Sequence, residues 1–189
     1  MSSGMVRWGG LAGLVAAVAF LVSGILTFIA PPQGGPSSFS DYLLEILVVA
    51  AFVLALLTIV GLHSAQRHSG RYGILGAAGF WLTLLGYVIV LVIAHLTLLA
   101  GGEPILSVRL VGALLVLVGS IVLGAMTIRA RVVPWWCGVL LIVGFPLGDI
   151  LNSVAAGSEN IVFAIVWGSI GYALLSLRGT VAEQPSRVS

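Results

Sequence analysis

The sequence predicts an all-α protein, a polytopic transmembrane bundle of about six helices. Three observations predict it. Only 7% of the 189 residues are charged while 60% are hydrophobic, whereas a soluble domain carries about a quarter charged residues. The apolar residues gather into six runs, each long enough to cross hydrocarbon. Arginine and acidic side chains fall in alternate connections between those runs, as the orientation of membrane helices requires.

The first run, Trp8 to Ile29, follows a short polar start with Arg7. It is longer than the apolar part of a secretory signal, and Phe28 and Ala30 fit the small-residue cleavage rule poorly, so it is read as helix one. Pro31 to Ser38 is dense in turn formers and reads as a loop. Helix two is expected from about Tyr42 to Leu62. The polar stretch His63 to Arg71 then precedes helix three, Tyr72 to about Leu99, which Gly101-Gly102-Glu103-Pro104 ends. Helix four spans about Leu106 to Ile128 and stops at Arg129-Ala130-Arg131. Pro134 is placed to open helix five, which reaches about Val154. Gly157-Ser158-Glu159-Asn160 separates it from helix six, Ile161 to Leu177. Residues 1–178 form one domain, and 179–189 are a polar tail expected to be disordered.

With six crossings, Arg7, Arg67, Arg71, Arg129, Arg131, Arg178 and Arg187 share one side. Asp41, Glu103 and Glu159 take the other, with Arg109 as the basic exception. The positive-inside rule makes the arginine side and both termini cytoplasmic. Trp8, Trp135 and Trp136 fall at that interface. The sequence also carries a faint signal of a three-plus-three repeat. Val6-Arg7 with Gly10 recurs as Val108-Arg109 with Gly112, and Gly86-Tyr87 recurs as Gly171-Tyr172. Matches this short also arise by chance in a chain rich in Leu, Val, Ala and Gly.

Helices in lipid associate through small residues and interhelical hydrogen bonds. Ala12, Gly13, Ala16 and Ala17 give helix one a small-residue face, and Ser120 with Gly124 gives helix four another. Such faces serve contacts within the bundle or docking of a partner helix. Charges within hydrocarbon cost about 2.5 to 3.5 kcal/mol each on insertion scales, so those present need a reason. Asp149 lies near the outer end of helix five with Asn152 on the same face, just after Gly144-Phe145-Pro146-Leu147-Gly148. That segment is expected to weaken or break the helix, as in the discontinuous helices that carry midplane binding sites. Glu45, His95 and Arg109 fall at a similar level. Thr83, Tyr87, Leu91 and His95 are spaced by four, hence on one face. Glu45, His95, Arg109, Asp149 and Asn152 are therefore the candidate ligand-binding residues of an outward-opening polar pocket. In it Arg109 balances carboxylates, and His95 is a group able to change charge near neutral pH. The competing reading makes Glu45 and Arg109 headgroup-level residues and Asp149 a structural partner of Arg109.

Several chemistries are excluded. All eight basic residues are arginine, which removes a retinal Schiff base and a lysine nucleophile. Cys137 is the single cysteine, so no intrachain disulfide or cysteine zinc cage forms, and it reads as a packing residue. His63 and His95 fall at opposite faces and cannot share a haem iron. No metal site, catalytic residue or cofactor fingerprint is found: Gly-x-Ser-x-Gly, His-Glu-x-x-His and the phosphate loop with Lys are absent. The scattered arginines do not form a nucleic-acid-binding face. The stretch His63, Arg67, His68 and Arg71 forms a small basic patch of the kind that meets anionic headgroups, but ordinary positive-inside topology is the preferred reading of it.

Arg131 to Gly148, with its Pro-Trp-Trp-Cys-Gly segment, and Gly171-Tyr172-Ala173-Leu174-Leu175-Ser176-Leu177-Arg178-Gly179 resemble uncharacterised small membrane proteins of high-GC prokaryotes. The resemblance covers about the last third of the chain and implies a six-span prokaryotic membrane protein with no activity attached; the arginine bias and the absence of organelle signals fit the inner membrane. Two readings of function follow: small-solute transport or binding at the polar pocket, or a structural or accessory subunit of a membrane complex or homo-oligomer. The partners expected are the lipid bilayer, a small solute, and a second copy or a membrane protein. The topology is testable. In a Cys137→Ala background, cysteines placed at Gln33 and at Arg67 should react with a membrane-impermeant maleimide from opposite faces. Labelling from a common face would overturn the six-span map.

Overall fold

A computed structural model describes residues 3–31, 38–102 and 105–177. All regular structure among them is helical, and six helices are long and apolar enough to cross a membrane. They are α1 (Ser3–Ile29), α2 (Phe39–Gln66), α3 (Gly73–Val90), α4 (Leu106–Ala130), α5 (Trp135–Asn152) and α6 (Ser158–Ser176). The chain is an integral membrane protein built as a helical bundle. Most of the loop at Pro31 to Ser38, the Glu103-Pro104 pair and the tail lie outside the described residues.

Each helix turns large apolar side chains outward, among them Val18, Leu57, Trp81, Leu114, Ile150 and Ile165. In water such a surface would aggregate; in hydrocarbon it is the solvated face. Trp8 and Trp135 are exposed at the arginine end, at 71% and 65%, where amphipathic rings favour the headgroup level. Cys137 is fully buried and unbonded to another cysteine, a packing residue.

The helices form a ring in chain order, closed by α1 against α6. The most extensive contacts are α3 on α4 and α1 on α6, followed by α1 on α2. Both leading pairs are antiparallel and cross through glycine. A Cβ on Gly171 would lie 2.7 Å from the carbonyl oxygen of Gly10 and 2.8 Å from the amide nitrogen of Leu14. A Cβ on Gly86 would lie 2.9 Å from the carbonyl oxygen of Gly112 and 2.5 Å from the amide nitrogen of Val116. One constant offset carries Gly10 and Leu14 to Gly112 and Val116, and another carries Gly86 to Gly171. The same offsets match the contact of Ala17 with Gly168 to that of Gly119 with Thr83, and the first residue of α3 to the first of α6. The faint sequence repeat therefore coincides with a crossing used twice. Gly13 belongs to it, 2.8 Å from the Gly171 Cα by the same measure. The small-residue face of α1 is thus spent within the bundle.

Two expectations change. Helix three does not run on as a regular α-helix: it becomes π-helical at Leu91–Leu96 before a last helical turn at Thr97–Leu99. Helix five does not break, because α5 continues through Pro146. Proline removes one amide donor, and membrane helices tolerate that loss where neighbouring groups re-satisfy the backbone.

Because backbone atoms face both glycines, Gly86→Val and Gly171→Val should each destabilise the protein by roughly 2 kcal/mol or more through overpacking. Gly70→Ala meets nothing within 4 Å and should be neutral. Thermal unfolding in detergent reads all three, and an unchanged Gly171→Val midpoint would refute the backbone-contact account.

Candidate functional site

Antiparallel alternation collects the ends of α2, α3, α4, α5 and α6 that carry Glu45, His95, Arg109, Asp149, Asn152 and Glu159 at one end of the bundle. Glu45 is on the inward face of α2, continuing at three-four spacing the buried positions Val48, Phe52, Ala55, Ile59 and Leu62. The capping box of Ser38 and Asp41 fixes where α2 begins, with the Asp41 amide donating to Ser38 Oγ at 3.2 Å and the Ser38 amide to the Asp41 carboxylate at 2.9 Å. It thereby sets the depth of Glu45, one turn further on.

His95 reaches Glu45 from the π-helical stretch. Its Nδ1 lies 2.7 Å from Glu45 Oε1, and the two side chains are 19% and 14% exposed. In an α-helix each four-residue step overshoots a full turn by ~40°, so the stripe Thr83, Tyr87, Leu91, His95 would drift off the inner face. The wider i→i+5 turns at Leu91–Leu96 take up part of that drift. Thr83, Tyr87 and Leu91 are all buried, and His95 stays in line with them. The Phe52 ring lies against the imidazole at 4.9 Å between centroids.

The remaining candidates are placed differently. Asp149, Arg109 and Asn152 are exposed. No ion pair joins Arg109 to Asp149 among the described residues; the one formed is His95 with Glu45. Asn152 Oδ1 accepts the Gly157 amide at 2.9 Å, closing the turn between α5 and α6. Gly157 adopts φ +87° there, and a Cβ on it would lie 2.5 Å from the Gly24 carbonyl oxygen, so the turn is fixed by both conformation and space.

Glu159, which sequence reasoning assigned only to orientation, also belongs to this end. It is partly buried in the first turn of α6, where the helix dipole favours a carboxylate. Asp149, His95 and Arg109 all act on it electrostatically, as Glu159 does on Tyr87. A Cβ on Gly148 would be 3.4 Å from Glu159 Cγ and 3.5 Å from its Cα, so Glu159 packs against α5 one residue before Asp149. The signal for it was available: Glu159 stands two residues after a turn glycine, at an N-terminal helical position.

Beneath the polar end lies a layer of rings. Phe52 touches Phe20, Tyr87 and Phe163 at 5.2, 5.7 and 6.2 Å, and Tyr87 meets Trp167 at 5.8 Å. The Trp167 indole nitrogen is the one buried side-chain polar atom without a partner among the described residues. Three carboxylates, one guanidinium and one imidazole thus share one end of the bundle above an aromatic layer. No group of three or more His, Cys, Asp or Glu among the described residues could hold a metal ion.

With Asn152 committed to the turn, Asn152→Ala should cost about 1 kcal/mol for the lost acceptor, while Asn152→Asp should retain most stability. Detergent thermal unfolding distinguishes them, and equal midpoints for the two variants would count against this role. No family model, curated protein or solved structure matches the chain.

Proposed function

We propose that this protein binds a small cationic or zwitterionic solute at the acidic end of the bundle and carries it across the membrane. One observation supports the reading above the others: the Glu45 and His95 pair, partly buried at 2.7 Å, joins α2 to a π-helical stretch. Buried ion pairs are weak sources of stability, and π-helical turns occur frequently at functional sites. Glu45 and Glu159 would compete for the solute's positive charge, with Asp149 at the mouth and Arg109 offering a site for a carboxylate on a zwitterion. The aromatic layer would close the path below.

The reading includes an orientation. Arg7, Arg67, Arg71, Arg129 and Arg131 share the end away from the site, which the positive-inside rule makes cytoplasmic. Both termini would then be cytoplasmic, in the inner membrane of a prokaryote, and the site would open outward. Catalysis and a nucleic-acid partner form no part of the proposal.

A second reading is a structural or accessory subunit in a membrane complex or homo-oligomer. It is favoured by an apolar groove of about 230 Å³ between α1 and α6, lined by Ala17, Val18, Leu21, Ile161, Ala164 and Ile165, which would seat a side chain of a neighbouring helix. Native mass spectrometry of the detergent-purified protein separates the readings. The first expects a bound small molecule that Glu45→Gln and Glu159→Gln reduce about tenfold or more, the loss of one charge-assisted contact. A stoichiometric protein partner with no solute would favour the second and sink the first.

A further inference from the structure

The opposite end of the bundle holds an open cavity of about 810 Å³, lined by Arg71, Ile128, Arg129, Arg131, Val133 and Trp135. Its rim carries three guanidinium groups from two connections: Arg71 between α2 and α3, Arg129 in the last turn of α4, and Arg131 just after it. All three are exposed. The described acidic residues, Asp41, Glu45, Asp149 and Glu159, all lie at the far end, so none of them supplies a counter-charge here. The floor is apolar, with Val133 buried and Ile128 partly buried, and the exposed Trp135 indole forms a wall.

The walls are held in place. Gln66 Nε2 donates to Thr127 Oγ1 at 3.1 Å, and the Thr127 hydroxyl donates back to Gln66 Oε1 at 3.3 Å. Both residues are fully buried, tying the end of α2 to α4. The Ser69 hydroxyl donates to the Ala130 carbonyl at 3.4 Å, fastening the connection that carries Arg71 to the turn that carries Arg131. Arg131 itself has φ +55° and is the one non-glycine residue with positive φ among those described. The position caps α4, where glycine is the usual occupant because a Cβ disfavours that conformation. Stability alone would favour glycine there, so the guanidinium answers some other requirement.

We infer that this cavity binds a phosphate-bearing anion. Guanidinium forks match phosphate oxygens in pairs, three of them exceed what one monoanion needs, and the tryptophan with the apolar floor suits the glycerol and first methylenes of a lipid. Two sources share this chemistry: the headgroup of an anionic phospholipid, and a free phosphate solute. The site is independent of the acidic end and of the function proposed for it.

The test follows thermal unfolding of the full-length protein in detergent micelles doped with phosphatidylglycerol, with phosphatidylcholine, or with inorganic phosphate and no added lipid. Phosphatidylglycerol should raise the midpoint by roughly 3 °C or more over phosphatidylcholine, as preferential binding to the folded state requires. Arg71→Gln and Arg131→Gly should remove most of that increment, whereas Arg7→Gln, at the same end but outside the cavity, should keep it. Arg131→Gly relieves the strained backbone, so its unliganded form should be no less stable than the parent and a folding defect cannot mimic the result. A shift produced by inorganic phosphate alone, and lost in the same variants, would assign the free solute. Absence of any shift, or an equal loss in Arg7→Gln, would overturn the proposal.

Discussion

Everything in this bundle depends on how closely helix backbones can approach one another where solvent gives them no reason to associate. Lipid is as apolar as leucine, so helices gain by packing against each other only where small residues bring main chains into contact. Each atom pair contributes only about 0.1 to 0.2 kcal/mol, and the sum is large only if many pairs meet. Gly10, Gly13 and Gly171 provide this for α1 with α6, and Gly86, Gly112 and Gly119 for α3 with α4. The result is two tightly joined antiparallel pairs, with α2 and α5 completing the ring between them.

The ring is not equally tight all round. α2 packs extensively on α1 but only lightly on α3, and it is across this thin interface that Glu45 meets His95 at 2.7 Å. The π-helical stretch adds its own contacts to α2, so the ion pair and the irregular helix together span the gap that regular packing leaves. A buried ion pair repays its desolvation only with good geometry and further hydrogen bonds. An apolar pair would hold this interface without that desolvation cost.

Spans and end charges were legible in the sequence because each is local: a run of apolar residues needs no tertiary context to be recognised, and arginines stop runs in plain view. The inward placement of Glu45 was legible too, since it continues the three-four spacing of Val48, Phe52 and Ala55. The π-helical turn at Leu91–Leu96 was not, because no residue in Leu-Val-Ile-Ala-His-Leu departs from ordinary helix formers. Pro146 suggested a break that did not occur, as proline removes one donor but does not decide whether neighbours compensate. Asn152 reads as a ligand because it follows Asp149 by three residues on the same helix face, yet its acceptor is used by Gly157, a contact set by a turn whose closure depends on Gly24 in α1. Glu159 was overlooked for a related reason. Its helix-start position can be read from Gly157, but its neighbours come from other helix ends and cannot.

The two halves of the chain differ most in their second helices, and the difference has a direction. Gly9 in α1 packs against Gly61 in α2, a Cβ on the former lying 2.6 Å from the Cα of the latter, and Gly124 in α4 faces the Gly138 carbonyl in α5 at 2.5 Å by the same measure. Both contacts are at the arginine end, although a strict inverted repeat would put them at opposite ends. At the middle and the acidic end, α2 is held from α1 by rings, Phe20 against Phe52 at 5.2 Å, whereas α5 approaches α6 at Gly148, where a Cβ would lie 3.4 Å from Glu159 Cγ and 3.5 Å from its Cα. Backbone contact therefore closes the α1–α2 and α4–α5 seams at the end with the arginines, while at the end with the carboxylates main chains meet in the α1–α6 and α3–α4 pairs, at Gly24 with Gly157 and at Gly86 with Gly112. The departure from a strict inverted repeat is therefore confined to how α2 and α5 are fastened, and leaves the two glycine crossings of α1 with α6 and α3 with α4 alike.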